Sequence, residues 1–439
     1  MKKLKLYIHR WGRVGLNSAL VFAALFVLLR GGDVQPADYF GLCLSEQVGG
    51  RKFNFTWWEI GALINKLGME FAAPQDTLSE AARHDLVIAY LDALKQANRL
   101  RGQIEEIYSR YDESAADRIA AAQQAELAAL RAWMSARQNL VEGILEEQTS
   151  TELEAEGFGL GGYVWPPVKI RFTELPLLLI VSQRAQITRE ADVHLKAGIP
   201  LADQVDLETG VDAQFGNMRS MVTRIGGLSA YPAMILETDS LVWLADTFAH
   251  EWAHHYLVIF PLGYNYNASG EMTTLNETSA SIIGREIGQR IILRYYPELA
   301  DQLPAIPVPP DCVPMSAGEL VWPEEPPPEV FDYSREMRQT RLWVDNLLEE
   351  GKVEQAEEYM ELRRQTFVEQ GYQIRKLNQA FFAFHGSYAT SPSTGNPLGG
   401  QLEWLRGQSE TLRVYVREIA AYGSYPDLKA RLMPFACAP

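Results

Sequence analysis

Apolar residues at Leu241, Leu244, Phe248, Trp252, Tyr256 and Ile259 recur at the three- and four-residue intervals of one helical face, and Pro261 ends the pattern. A helix is therefore expected through Asp246 to Leu257. Far upstream, Ser79 to about Gln148 is rich in Ala, Leu, Glu, Arg and Gln, has no Pro and holds two Gly, so it reads as strongly helical. Ser114 is the expected N-cap that divides it into two long helices, which makes an antiparallel hairpin the natural outcome. Its apolar spacing drifts from a strict heptad, which favours packing within the chain over a partner-binding coiled coil. Phe53 to Phe71 is apolar at helical spacing, with Trp57, Ile60, Ile64 and Leu67 on one side, and is expected to pack on the body of the protein. Its polar face lacks the Lys and Arg enrichment of a membrane-lying helix, the alternative reading.

From Gly157 the pattern changes. Glycines and prolines appear in GFGLGGYVWPPVK, and the continuous apolar run Leu175 to Val181 reads as a buried strand. Met221 to Arg224 and Tyr231 to Leu236 are further short strands, so a small sheet precedes the helix at Asp246 to Leu257. Nine prolines between Asp301 and Glu329 mark an irregular connection. Phe331 to Ala383 returns to helix, and after the loop SYATSPSTGNPLGG two more helical segments run to about Leu432. The expected class is α+β and predominantly helical. The expected divisions are 1–13, a basic tail; 14–30, an apolar anchor; 31–156, a helical region with the hairpin; 157–300, a catalytic domain; 301–330, the Pro-rich connection; and 331–439, a C-terminal helical subdomain closing the cleft.

Composition narrows the function classes. With 439 residues, 47% hydrophobic and 22% charged, the chain is an ordinary globular protein with room for a large core. A formal net charge of -16 argues against nucleic-acid binding, which needs clustered Lys and Arg. Lys2, Lys3, Lys5, Arg10 and Arg13 precede the apolar run Val14 to Leu29, the order of a signal anchor. A single-pass membrane protein with its catalytic region outside the cytoplasm is the resulting expectation, with a cleaved signal peptide as the competitor. Cys43, Cys312 and Cys437 form no metal-type C-x-x-C, and Cys312 with Cys437 is the pair to test for a disulfide.

Within the helix, DTFAHEWAHHYL carries His250, Glu251 and His254 as H-E-x-x-H. Positions i and i+4 lie about 40° apart on a helix, so both imidazoles can reach one ion while Glu251 sits beside it to take a proton from water. A second helical pattern, LNETSASIIG, places Glu277 23 residues after His254. Two imidazoles and one carboxylate leave a fourth tetrahedral position open, as in a catalytic zinc site. Zn2+ held by His250, His254 and Glu277 is therefore expected. His255 points about 100° away and is a core or supporting histidine. Asp246, Asn276 and Ser281 are candidates to orient the ligands, with capping or solvation as the alternative. His9, His84 and His194 have no motif partner.

These segments resemble the gluzincins, metallopeptidases that join HExxH to a Glu on a following helix, and in particular a bacterial family named for aminopeptidase activity. The likeness is carried by GGLSAYPAMI (Gly226 to Ile235), FAHEWAHHYL, LNETSASIIG and LNQAFFAFHGSY (Leu377 to Tyr388), where the family's N-N-A is replaced by Asn378, Gln379 and Ala380. It covers about the latter half of the chain and leaves the hairpin unmatched. The resemblance implies a zincin-like catalytic layer, His250, His254 and Glu277 as ligands, Glu251 as general base, and an extended peptide aligned near Gly226 to Tyr231.

The expected activity is peptide-bond hydrolysis with Glu251 moving the proton. Tyr388 and His385 are candidate donors to the oxyanion, the alternative being packing at a helix end for Tyr388 and a surface or supporting place for His385. A peptide or protein is the expected substrate, with the hairpin open to a protein partner. The competing class is a binding or scaffold protein of zincin fold without turnover. An intramembrane protease would need several spans, and one is visible.

Overall fold

The computed structural model describes residues 39–72, 74–304, 312–314, 331–387, 398–432 and 435–437. They form a predominantly helical α+β fold with small sheets, the coarse class that the pattern predicts. The hairpin consists of Glu80–Arg110 and Glu113–Ser135. Ser79 caps the first helix by accepting from the Ala82 amide. The second is capped by Asp112, whose carboxylate accepts from Ala115 N at 3.1 Å, and not by Ser114, which lies inside the helix and donates to Asp112. An aspartate one position before the first helical turn supplies the cap and a charge that suits the helix N-terminus.

A third helix, Gln138–Leu153, runs behind the hairpin and carries buried carboxylates that pin other elements to it. Glu142 accepts from the Phe172 amide at 2.9 Å and Glu146 from the Ile170 amide at 3.0 Å, which fixes the strand Ile170–Phe172. Both carboxylates also hold Lys66, each at 2.7 Å. Lys66 lies on Phe55–Ala72, and this pairing turns that helix away from the expected orientation. Its buried face carries Glu59, Ala62, Leu63 and Lys66, while Trp57 and Ile64 are 73% and 66% exposed. Turning Lys66 outward would take from Glu142 and Glu146 a cation that pairs both buried carboxylates, and a buried charge left without its partner is costly.

Leu177–Gln183 is the middle strand of an antiparallel sheet, flanked by Ala191–Leu195 and Met218–Arg224. Both faces are covered, which explains its unbroken apolar run. Leu178 and Ile180 face the helices Tyr333–Glu349, Val353–Glu369 and Gln379–His385, whereas Leu177, Leu179 and Val181 face Tyr39–Val48 and Leu201–Gln214. In the second sheet, Ile170–Phe172 pairs in parallel with Ala233–Ile235, which pairs antiparallel with the edge strand Gly227–Leu228.

The helix Leu241–Leu257 contains the HExxH residues and packs along Gly270–Tyr295, hereafter the motif and companion helices. Pro261, which ends the motif pattern, opens a short helix Pro261–Tyr264 between them. The C-terminal region divides between two cores. Its first three helices lie on the antiparallel sheet, and Leu398–Gln408, Leu412–Ala420 and Tyr425–Leu432 join the core of the motif and companion helices. That makes three helical segments after the loop, not two. Asn378 and Gln379 serve to attach this region: Asn378 caps its helix and donates to Ser220 O at 3.1 Å, and Gln379 donates to Arg184 O at 2.8 Å. Cys312 lies opposite Cys437 in the antiparallel register of Cys312–Pro314 and Phe435–Cys437, and Cys43 is a buried free thiol.

The expectation of a single-pass membrane protein is corrected. No described helix is long and apolar enough to cross a membrane, and the expected anchor at 14–30 lies outside the described residues. The apolar helix Phe55–Ala72 carries Glu59, Lys66 and Glu70, of which Glu59 and Lys66 are buried.

Candidate metal centre and cleft

The motif helix brings His250 and His254 one turn apart with their Nε2 atoms 3.2 Å from each other. Glu277, on the second turn of the companion helix, places Oε2 at 3.5 Å from His250 Nε2 and 3.6 Å from His254 Nε2. Bonds of about 2.0–2.1 Å at tetrahedral angles separate ligand atoms by about 3.3–3.4 Å. The triangle therefore matches three ligands of one ion, and these three residues could hold a metal. Glu277 Oε2 is buried and has no hydrogen-bond partner, whereas Oε1 accepts from the Tyr266 hydroxyl at 2.5 Å. An unpartnered buried carboxylate oxygen facing two imidazoles is what a cation site requires.

The supporting contacts fix which nitrogen is offered. Asn276 Oδ1 lies 2.8 Å from His254 Nδ1 and can only accept, so Nδ1 keeps its proton and Nε2 is the nitrogen whose lone pair is offered once the ring is neutral. Ser281 Oγ stands 3.4 Å from His250 Nδ1 and donates its own proton to Glu277 O at 2.9 Å. Burial disfavours a charged His254, but the Glu277 carboxylate beside it overrides this and raises the pKa to about 9. Burial pushes Glu277 the other way, yet the facing imidazoles hold it well below the usual carboxylate range. Asp246 is buried against the companion helix, where burial raises its pKa against the pull of His250 and Arg285.

The site opens into a cleft of about 1720 Å³ lined by both helices, the edge strand and the turn after it. Glu251 reaches across to the Ser229 hydroxyl, with which it makes a short hydrogen bond, and lies so close to Gly227 that a Cβ there would collide with its carboxylate. Glycine at 227 thus lets the edge strand approach the general-base candidate. His255, set aside by the motif geometry, donates from Nε2 to Ala230 O at 2.7 Å. Burial lowers its pKa to about 4, so it is a neutral clamp on the turn that follows the edge strand.

His385 ends the helix Gln379–His385, with its ring 4.3 Å from that of Phe381, and burial lowers its pKa to about 4. Its neighbour Phe384 lines the cleft. Tyr388 lies outside the described residues. Three cleft residues have no signal in the motif. Tyr266 comes from the loop between two helices and Glu59 from a helix more than 160 residues earlier in the chain. The third, Arg189, has its Nε 2.5 Å from Asp192, whose carboxylate keeps the guanidinium charged against the opposing effect of burial.

No family model matches this chain, and neither a curated protein nor a solved structure matches it.

Proposed function

We infer that the chain is a zinc-dependent peptidase of zincin-like architecture. The observation that supports this most is the ligand triangle of His250, His254 and Glu277 with Glu251 at its side, facing a cleft bordered by a free strand edge. The donor set of two imidazoles and one carboxylate suits a catalytic zinc with an open position. Bound there, zinc would supply Lewis-acid polarisation and a water of lowered pKa.

The chain's own residues carry the remaining steps. Among the described residues the edge strand Gly227–Leu228 is paired on one side only, and a substrate peptide adds to its other side as a further strand. The Glu251 carboxylate takes the proton of the attacking water and returns it to the leaving amine, and the Ser229 hydroxyl holds that carboxylate in place. Arg189, a cleft-lining cation kept charged against its burial chiefly by Asp192 and further by Tyr266 and Glu277, is the candidate to stabilise negative charge that develops on the substrate carbonyl. Cleavage of a peptide library by zinc-loaded protein, compared with its Glu251→Gln variant, tests this reading.

A further inference from the structure

The two oxygens of the Glu277 carboxylate meet different surroundings. Oε2 is buried without a hydrogen-bond partner and faces His250 and His254, whereas Oε1 accepts from the Tyr266 hydroxyl at 2.5 Å. A phenol holds its proton at neutral pH and an ionised carboxylate can only accept, so the direction of this bond is fixed. Tyr266 is itself held in place for it. Its amide donates to Gly263 O at 3.1 Å, and its carbonyl accepts from the Thr273 hydroxyl at 2.8 Å. Thr273 and Glu277 stand one turn apart on the companion helix and share a face. That helix therefore grips Tyr266 at two points, the backbone through Thr273 and the hydroxyl through Glu277. The ring lines the cleft and stands edge-on to His254, with ring centroids 6.2 Å apart.

The consequence lies in how many ligand atoms the chain offers. A carboxylate can hold a cation through one oxygen or through both. Two imidazoles and both oxygens of Glu277 would fill all four tetrahedral positions and leave none for water or a substrate carbonyl. With one oxygen engaged elsewhere, the fourth position stays open. We propose that Tyr266 is a positioning residue that occupies Oε1, restricts Glu277 to one ligand oxygen and so keeps a coordination position free for the reaction. This rests on the metal-dependent peptidase reading above.

The experiment uses the full chain loaded with cobalt(II), whose visible spectrum reports its ligands, and the variant Tyr266→Phe, which removes the hydroxyl alone. Mercaptoethanol is the probe of the open position, because a thiolate that binds cobalt adds a charge-transfer band. In Tyr266→Phe the thiol has to displace Glu277 Oε1, so half-saturation should need about 10- to 100-fold more thiol than in wild type. Cobalt affinity, measured by competition with a chelator, should equal or exceed that of wild type, because Glu277 then contributes a second oxygen. A hydroxyl that merely supports the local structure predicts the opposite sign, a loss of cobalt affinity. Weaker cobalt binding in the variant overturns the proposal, and so does equal thiol affinity in the two proteins. Digestion of a peptide library by both zinc-loaded proteins runs in parallel. If neither cleaves while cobalt and thiol binding differ as stated, the role of Tyr266 stands and the peptidase reading falls; a wild type that takes up no cobalt overturns both.

Discussion

Gly288 lies against the backbone of Asp246, and a Cβ at 288 would stand 2.7 Å from the Asp246 amide nitrogen. One turn earlier, Gly284 meets Asp246 and the His250 Cβ in the same way, at 3.1 Å from the latter. These two glycines let the motif and companion helices approach, and that approach sets the distance from Glu277 to both histidines. Gly288→Ala has only backbone to push against, so it should cost roughly 2–3 kcal/mol of stability and weaken zinc binding together. Urea unfolding and zinc titration of the variant measure both effects.

Asn276 fixes the His254 ring through its Oδ1. Asn276→Ala should lower zinc affinity by about 10- to 100-fold, as expected for loss of a group that orients a ligand. Competition against a chromogenic chelator gives the ratio, and an affinity equal to wild type would show that His254 is oriented by other contacts.

Zinc binds neutral imidazole, whereas the Glu277 carboxylate raises His254 to a pKa of about 9. Below that value binding must displace a proton from His254. Apparent affinity should therefore rise about tenfold per pH unit from neutral pH toward pH 9 and then level off. Calorimetry of zinc binding at pH 7 in buffers of different ionisation enthalpy should report release of about one proton from this group.

His194, His255 and His385 are each lowered by burial to a pKa of about 4. Unfolded histidine titrates near about 6.5, so the unfolded chain binds these protons first as pH falls. Their contribution to stability is fully present above about pH 6.5, declines between about 6.5 and 4, and changes no further below that. Urea midpoints across this window should fall with pH, and His255→Gln should remove part of the slope.

The grouping of His250, His254 and Glu277 was legible because its signals are local. His250 and His254 are one helical turn apart, and Glu277 sits in its own helical pattern, so each residue's presentation follows from spacing. The helical hairpin was legible for the same reason, being long and compositionally uniform. Glu59 and Arg189 were not, because their place in the cleft depends on contacts far away in sequence. The rotation of Phe55–Ala72 shows how this happens: its apolar pattern pointed Trp57 and Ile64 inward, but Lys66 answers to Glu142 and Glu146 on another helix. That His255 lies off the face shared by His250 and His254 was readable from its angle on the helix, while its bond to Ala230 O required the fold. Asp112 displaced Ser114 as the cap within two residues, a boundary shift that local propensity does not resolve.

Glu251 touches Ser229 at the edge of the cleft beside the ligand triangle, and the central claim is that it moves the proton of the attacking water. Zinc content and peptide hydrolysis measured together on wild type and Glu251→Gln test this most directly. The account predicts one zinc per chain in both proteins, and a fall in kcat/KM on the order of a thousandfold in the variant. Hydrolysis at the wild-type rate by zinc-loaded Glu251→Gln would contradict it.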